Sequence, residues 1–378
     1  MNRIIGNPAR YIQGAGILEH LCEYAGILGN NLLIIADERV KDAIYDSVQK
    51  SIETGDGSVR VSWEPFGGQC CDREIDRIAD NAKNEGYDVI AGAGGGKALD
   101  TAKAVADKLG VETLCIPTIA ATDAPCLAGS VVYTDQDTVQ EYRVYKKNPA
   151  IVLADSAVIC RAPARFFAAG IGDCLSTLFE ARACIHSNTP NVYGSSCSRT
   201  SEALAAHSMK VIRENGYKAY LAVKNNICNQ AVEDVIEANI YLSGIAAEGA
   251  GSDAGCHAIY NALTSMEETR GYNHGEMVSF GVFVQLVLEN ENLEVIRDLQ
   301  EFCTSVDLPI TLRQIGVPYP PAETDSASTA LEDKLHKVAE LAAEDTLQHM
   351  PFEVTPEDTY YAILMADALG REYLEQNG

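Results

Sequence analysis

Basic residues are scarce in this chain. Its 378 residues include 54 Asp and Glu against 29 Lys and Arg, a formal net charge of −25. A surface that negative repels nucleic acid and anionic membranes, and otherwise serves solubility. Long apolar runs are also missing. No stretch approaches about 18 consecutive apolar residues, so no bilayer-spanning helix is expected. The first residues, Met1-Asn2-Arg3-Ile4-Ile5-Gly6-Asn7-Pro8, hold no apolar core of a signal peptide, and none is expected. Cysteine is plentiful, but no C-x-x-C pair occurs among the 12. Cys70 and Cys71 are adjacent, and neighbours rarely bridge each other. Cys115, Cys174, Cys184 and Cys256 lie in apolar surroundings, where cysteine acts as a small hydrophobe. Free thiols in a reducing cytosol fit this usage better than a disulfide framework, so a cytoplasmic protein is expected. There is no internal repeat and no low-complexity tail.

What remains is an ordinary globular balance, 47% hydrophobic and 22% charged, on a chain long enough for two domains. Within it the run Gly94-Gly95-Gly96-Lys97 stands out. Before it lies Asp88-Val89-Ile90-Ala91-Gly92-Ala93, a short apolar strand. After it, Ala98 to Leu109 carries apolar residues at helical spacing. Glycines at a strand-to-helix turn let backbone N–H groups and the helix N-terminus close on a phosphate. The same residues could form a tight turn with no ligand. They are not a P-loop, because Ala91 and Ala98 stand where that pattern needs Gly and Ser or Thr.

The two halves differ in pattern. Up to about residue 160, apolar strands at Leu32–Ala36, Val59–Trp63, Asp88–Gly92, Thr113–Pro117 and Ile151–Ala154 alternate with helices near Glu38–Lys50 and Asp72–Glu85. Alternation of this kind implies a parallel sheet covered on both faces. Ser130–Thr134 and Glu141–Tyr145 read as an antiparallel excursion. From Pro163 onward helical patterns take over, at Ile171–His186, Asn191–Glu214, Ala231–Glu248, His274–Leu288 and Thr355–Glu375. Pro318-Tyr319-Pro320-Pro321 and the polar run Thr324–Thr329 mark an exposed break. The expected fold is an α/β Rossmann-like nucleotide domain over residues 1–160, then an all-helical domain over 161–378. The default expectation for two such halves is a ligand cleft between them.

Three acidic or imidazole positions invite a chemical reading. Asp37 follows the first strong strand. There a carboxylate either accepts from adenosine ribose hydroxyls or caps the next helix. Asp173 sits among small apolar residues in Gly170-Ile171-Gly172-Asp173-Cys174. His257 and His274 lie in Cys256-His257-Ala258 and Asn273-His274-Gly275. Two imidazoles and one carboxylate on facing helices make a three-ligand site with an open position, the form of a catalytic zinc centre. Spacing alone also allows Asp173 to be an N-cap and His257 a hydrogen-bonded core residue.

Taken together, these segments resemble the glycerol dehydrogenases of the iron-containing (group III) alcohol dehydrogenase superfamily. The likeness runs from Tyr11-Ile12-Gln13-Gly14-Ala15-Gly16 to Ala366-Asp367-Ala368-Leu369-Gly370-Arg371. It is carried by the run from Gly94 to Lys103, the run from Pro117 to Cys126, Gly170-Ile171-Gly172-Asp173, His257-Ala258-Ile259 and His274-Gly275-Glu276. The resemblance implies a dehydroquinate synthase-like architecture and an NAD-dependent oxidoreductase acting on CH–OH donors. It implies NAD contacts at Asp37, Gly94, Gly95, Gly96, Lys97, Asp100, Thr118, Thr122, Leu127, Gly129 and Tyr133. It implies one divalent metal on Asp173, His257 and His274, with Asp123 close to the substrate hydroxyls. Iron-type relatives add a His four residues after the Asp. Thr177 occupies that place here, which implies the three-ligand branch that carries zinc rather than Fe2+. A homo-oligomer is implied as well.

The departures from that pattern cluster near the substrate. Leu127 and Gly129 replace Ser and Leu, Ala247 replaces a Phe, Ser252 and Asp253 replace apolar residues, and Tyr260 replaces the second His of His-Ala-Ile-His. On a continuous helix Asp253 would share a face with His257. It could then approach the metal, meet an extra substrate hydroxyl or orient a ligand; alternatively it N-caps that helix. With a wider pocket at Ala247, these changes favour a longer polyol or a diol over glycerol. The same chemistry on a 2-hydroxy acid or hydroxy ketone is an alternative. A sugar-phosphate cyclase on this scaffold ranks lower, because no Lys/Arg cluster lies near the metal motifs. A binding protein that has lost catalysis ranks last, because the three ligands are intact.

Overall fold

The computed structural model describes residues 2–134, 138–251, 253–320 and 326–377, with the side chains of 326–328 left aside. The chain forms two compact units. One comprises Gly6–Phe167 and Leu221–Ile245, the other Met1–Ile5, Ala168–Tyr220 and Ala246–Gly378. The division near residue 160 thus lies at Phe167, and Leu221–Ile245 returns to the first unit although it follows residues of the second.

In the first unit the elements run β1 (Arg10–Gly14), α1 (Leu21–Ala25), β2 (Asn31–Ala36), α2 (Glu38–Thr54), β3 (Arg60–Pro65), α3 (Asp72–Ala82), β4 (Val89–Gly94), α4 (Gly96–Leu109) and β5 (Glu112–Pro117). They continue with the hairpin β6 (Gly129–Tyr133) and β7 (Val139–Val144), then β8 (Ile151–Asp155) and α5 (Ser156–Arg161). Six strands form one sheet in the order β1-β8-β5-β4-β2-β3, every adjacent pair parallel. Strand alternation splits the core cleanly. Leu32, Ile34 and Ala36 of β2 pack with Leu21, Ile44 and Val48 on one face. Leu33 and Ile35 pack with Ile75, Ile78, Ala102 and Val105 on the other. The hairpin is antiparallel, as the sequence indicates. β1 is a strand that the residue pattern alone did not reveal; its backbone pairs with β8 along its full length.

Helices fill the rest: α6 (Ala164–Ser187), α7 (Arg199–Lys224), α8 (Gln230–Glu237), α9 (Ser243–Ala250), α10 (Gly255–Leu263), α11 (His274–Leu288), α12 (Leu293–Ser305), α13 (Ser326–Glu344) and α14 (Pro356–Asn377). α11 is the central helix of the second unit, buried almost throughout, with Phe280 and Phe283 fully enclosed. Three helix expectations are corrected. The helix expected from Asn191 begins at Arg199, because the Asn191 side-chain oxygen accepts from Tyr193 N–H and Ser195 N–H and closes a loop. The span Ala231–Glu248 is interrupted by a π-helical turn at Ala238–Leu242. The expected break at Thr324–Thr329 lies partly outside the described residues, and α13 already begins at Ser326. α13 is held by Leu331, Leu335, Val338 and Ala342, a buried stripe at helical spacing. Among the described residues no helix is long and apolar enough to cross a membrane.

Candidate functional site

Asp173 lies in the middle of α6, not at its start, so it caps nothing. Its place follows from a close helix crossing. Gly172 precedes Asp173 and Gly275 follows His274. A Cβ on Gly275 would overlap the Ala169 carbonyl oxygen, and one on Gly172 would overlap the Gly275 carbonyl oxygen. Only glycine at both positions lets α6 and α11 approach so nearly. His274 occupies the first turn of α11. The turn is set by a capping box in which Glu276 accepts from Asn273 N–H at 2.7 Å. His257 sits in the first turn of α10.

These elements bring three ligand atoms together. Asp173 Oδ1 lies 3.0 Å from His274 Nε2 and 3.4 Å from His257 Nε2. The two Nε2 atoms are 3.3 Å apart. A tetrahedral ion with bonds of about 2.0–2.1 Å needs donor atoms about 3.3 Å apart. The observed triangle fits that requirement. Asp173 is buried, and among the described residues its Oδ2 has no hydrogen-bond partner, which leaves a carboxylate whose charge a neighbouring cation would offset. Burial alone would raise the Asp173 carboxyl, but the two imidazoles outweigh it and hold it well below the usual carboxylate range. Among the described residues no fourth His, Cys, Asp or Glu joins this group. Thr177 is buried one turn further along α6.

Behind His257 stands a carboxylate that the sequence reading missed. Glu180 is fully buried and its Oε2 lies 2.6 Å from His257 Nδ1. Its Oε1 accepts from Ala254 N–H at 2.8 Å and His257 N–H at 2.9 Å, so it also caps α10. The available signal was its seven-residue spacing from Asp173, which puts both acids on one face of a small-residue helix. Burial would depress His257, but Glu180 and Asp253 raise it well above the usual imidazole value. Asp253 does not share the His257 helix, which begins only at Gly255, and it does not cap it. Its Oδ1 stays 3.8 Å from His257 Nδ1, beyond hydrogen-bonding reach. Tyr260 places its ring edge-on to His274, centroids 4.3 Å apart. Ala247 is half-buried on α9, and Ser252 lies outside the described residues.

The remaining candidates belong to the α/β unit. Strand order reverses between β2 and β4, and ligands of open α/β sheets bind outside the carboxyl ends of strands at such a switch point. Asp37 follows the end of β2, and the run Gly94-Gly95-Gly96-Lys97 leads from the last residue of β4 into α4. Gly94 has φ +142°, a conformation closed to other residues, and no side chain caps α4. Thr118 N–H donates to the Gly94 carbonyl at 3.1 Å, and Lys97 Nζ lies 4.9 Å from the Tyr133 ring centroid. The methyl of Thr122 faces Gly96. Asp37 Oδ1 accepts from Val40 N–H at 2.9 Å and caps α2. Asp100 differs from the other implied NAD contacts. It is buried, paired with Lys103 at 2.7 Å and accepting from Val131 N–H, so its carboxylate serves the interior. Lys103 in turn donates to the carbonyls of Ala124, Leu127 and Gly129 and pins the loop that leads into β6. Asp123 Oδ2 lies 3.4 Å from Ser243 Oγ, which follows the π-helical turn.

Known proteins bear on this arrangement. The family model described as iron-containing alcohol dehydrogenase matches residues 8–156. Glycerol dehydrogenase of Escherichia coli is 41% identical over 378 residues, 100% of both chains. Glycolaldehyde reductase of Halobacterium salinarum is 39% identical over 375 residues, 98% of this chain and 99% of its own. The crystal structure of glycerol dehydrogenase from Schizosaccharomyces pombe matches with a TM-score of 0.92 at 30% identity, covering 100% of this chain and 93% of that one.

Proposed function

The chain belongs to the iron-containing alcohol dehydrogenase family, and on that premise we propose that this alcohol dehydrogenase uses zinc and NAD to interconvert a small polyol or vicinal diol and its ketone, the glycerol–dihydroxyacetone type of reaction. The observation that carries the reading is the triangle of Asp173 Oδ1, His257 Nε2 and His274 Nε2, at 3.0–3.4 Å. A divalent cation and NAD, when bound, supply Lewis acidity toward the alcohol hydroxyl and an acceptor for its hydride. The protein's share is position and field. Asp173, His257 and His274 are the ligands. Asp123 accepts from the substrate hydroxyls. The uncapped first turn of α4, with Gly94, Gly95, Gly96 and Lys97, receives the pyrophosphate. Asp37, Thr118 and Thr122 serve the adenine side, and Leu127, Gly129 and Tyr133 complete the nucleotide contacts. In this reading residues 1–160 bind NAD, residues 161–378 bind metal and substrate, and the enzyme is a cytoplasmic homo-oligomer.

Two sequence departures bear on substrate choice. Ala247 stands where a Phe would narrow the pocket, and Asp253 adds negative charge near His257. The Asp253 carboxylate disfavours an anionic substrate, and together the two changes favour a longer polyol or a diol. A second reading, reduction of a small hydroxyaldehyde, is favoured by the likeness to the Halobacterium salinarum reductase.

The test combines metal analysis with a substrate series. Chelation should abolish NAD-linked activity and Zn2+ should restore it, with one equivalent bound per chain by elemental analysis. His274→Ala should lose metal and turnover while still folding. Recovery with Fe2+ alone would replace zinc by iron; full activity without any metal would overturn the reading. Rates with glycerol, 1,2-propanediol, 2,3-butanediol, longer polyols and 2-hydroxy acids, and with glycolaldehyde in reverse, rank the substrates. Glycerol ranking first, unchanged by Asp253→Ala, would overturn the substrate assignment.

A further inference from the structure

We propose that Glu180 is a positioning residue that holds His257 in its metal-binding tautomer and sets the metal affinity of the site. The inference rests on the metal reading above and goes beyond it, because Glu180 is not itself one of the three converging ligands. The carboxylate is fully buried, where an ionised acid survives only if its oxygens are satisfied. Oε1 is used by two backbone amides, those of Ala254 and His257, at 2.8 and 2.9 Å. Oε2 is used by His257 Nδ1 at 2.6 Å. An ionised carboxylate can only accept, so Nδ1 must be the nitrogen that carries the proton. In the neutral imidazole, the form that ligates a metal, Nε2 is then left with its lone pair, and Nε2 is the atom that faces Asp173 Oδ1 and His274 Nε2. One side chain therefore fixes both the helix turn that carries the ligand and the nitrogen that ligates.

Asp253 is the competing acid, and the distances separate the two. Its Oδ1 is 3.8 Å from Nδ1 and its side chain is 38% exposed, against 2.6 Å and 1% for Glu180. Asp253 contributes field, whereas Glu180 holds the hydrogen bond.

Glu180→Gln isolates the effect. The amide keeps one oxygen for the two backbone N–H groups and turns an NH2 toward Nδ1. That NH2 asks Nδ1 to accept, which favours the imidazole proton on Nε2 and weakens ligation. Zn2+ affinity, measured on the metal-stripped full chain by competition with a chromogenic chelator, should fall about 10- to 100-fold. Melting of the metal-free protein should change little, and Asp253→Asn should stay within about threefold of wild type in affinity. Equal affinity in wild type and Glu180→Gln would overturn the proposal. So would a lower melting temperature of the metal-free variant with unchanged affinity, which marks a structural cap. A wild type that binds no Zn2+ sinks the metal reading and this inference with it, and is told apart because wild type and variant then bind equally little. Should Glu180→Gln fail to fold, the wild type still decides. Long-range 15N–1H spectra of the zinc-loaded enzyme should show the His257 proton on Nδ1, and a proton absent from Nδ1 would overturn the proposal.

Discussion

Asp37 uses one carboxylate oxygen to cap α2 through Val40 N–H at 2.9 Å, and this makes its proposed role in cofactor choice separable from its structural one. Two like charges about 4 Å apart cost roughly 4 kcal/mol at an effective dielectric of 20, enough to exclude a 2′-phosphate. Serine caps a helix about as well as aspartate but carries no charge. Asp37→Ser should therefore raise kcat/KM with NADP relative to NAD while leaving the melting temperature near wild type. Asp37→Ala should add a stability loss of about 1 kcal/mol. Equal kcat/KM for the two cofactors in the unmodified enzyme would refute the assignment. The cap was one of two readings open from the residues alone; the structure establishes it and leaves the cofactor role to experiment. At the same scale Glu180 and Tyr260 show what a list of residue types cannot supply. Their contacts with His257 and His274 depend on how α6, α10 and α11 cross, and no local pattern encodes that.

At the scale of elements, the cluster of Asp173, His257 and His274 depends on glycine. The Ala169 carbonyl oxygen occupies the space a Cβ on Gly275 would need, so Gly275→Ala must push α11 away from α6. Overpacking of this kind costs about 1–3 kcal/mol or more. Here it should also separate Asp173 from His274, so Zn2+ affinity should fall together with stability. Gly271 is the control, since a Cβ there meets nothing within 4 Å. Gly271→Ala should leave both quantities unchanged. A Gly275→Ala protein with wild-type metal affinity would show that the close crossing does not position the ligands. Elements with strong local patterns were legible from the sequence: β2, β4 with its glycine turn, and α11, whose observed span His274–Leu288 is the expected one. Elements whose partners are distant in sequence were not. β1 is a strand because β8 lies beside it, and Arg10–Gly14 has no alternation of its own to announce it.

For the whole molecule, free thiols are numerous and mostly interior. Burial pushes the Cys70, Cys115 and Cys303 thiols up to about 12 from an ordinary value of 9.0. A raised folded-state pKa means that the folded state holds a proton the unfolded state gives up. The stabilisation is then fully present below pH 9.0 and is lost as pH rises toward about 12. Melting temperature should therefore fall steeply above about pH 9, and Cys115→Ala should show a shallower fall than wild type. A flat profile from pH 8 to 11, or an unchanged slope in the variant, would contradict this. The net charge of −25 acts in the same direction, since a compact negative molecule opposes thiolate formation more than an expanded chain does.

The sequence by itself determined the class of fold and three candidate ligands of the site. Strand–helix alternation up to about residue 160 dictated a covered parallel sheet, because apolar runs of that length need burial on both faces. The motifs around Gly94, Asp173, His257 and His274 dictated which side chains were candidates for phosphate and metal. Tertiary structure decided what the candidates do. It drew Asp173, His257 and His274 into a triangle of tetrahedral size across more than one hundred residues of sequence, moved Asp100 from the candidate nucleotide contacts into the interior, and put Glu180 rather than Asp253 on His257 Nδ1. It also returned Leu221–Ile245 to the α/β unit. The physical reason is common to all four. Residue type and spacing specify local conformation and which face is apolar, whereas a hydrogen bond or a ligand triangle is set within tenths of an ångström by side chains from distant segments packing at close density.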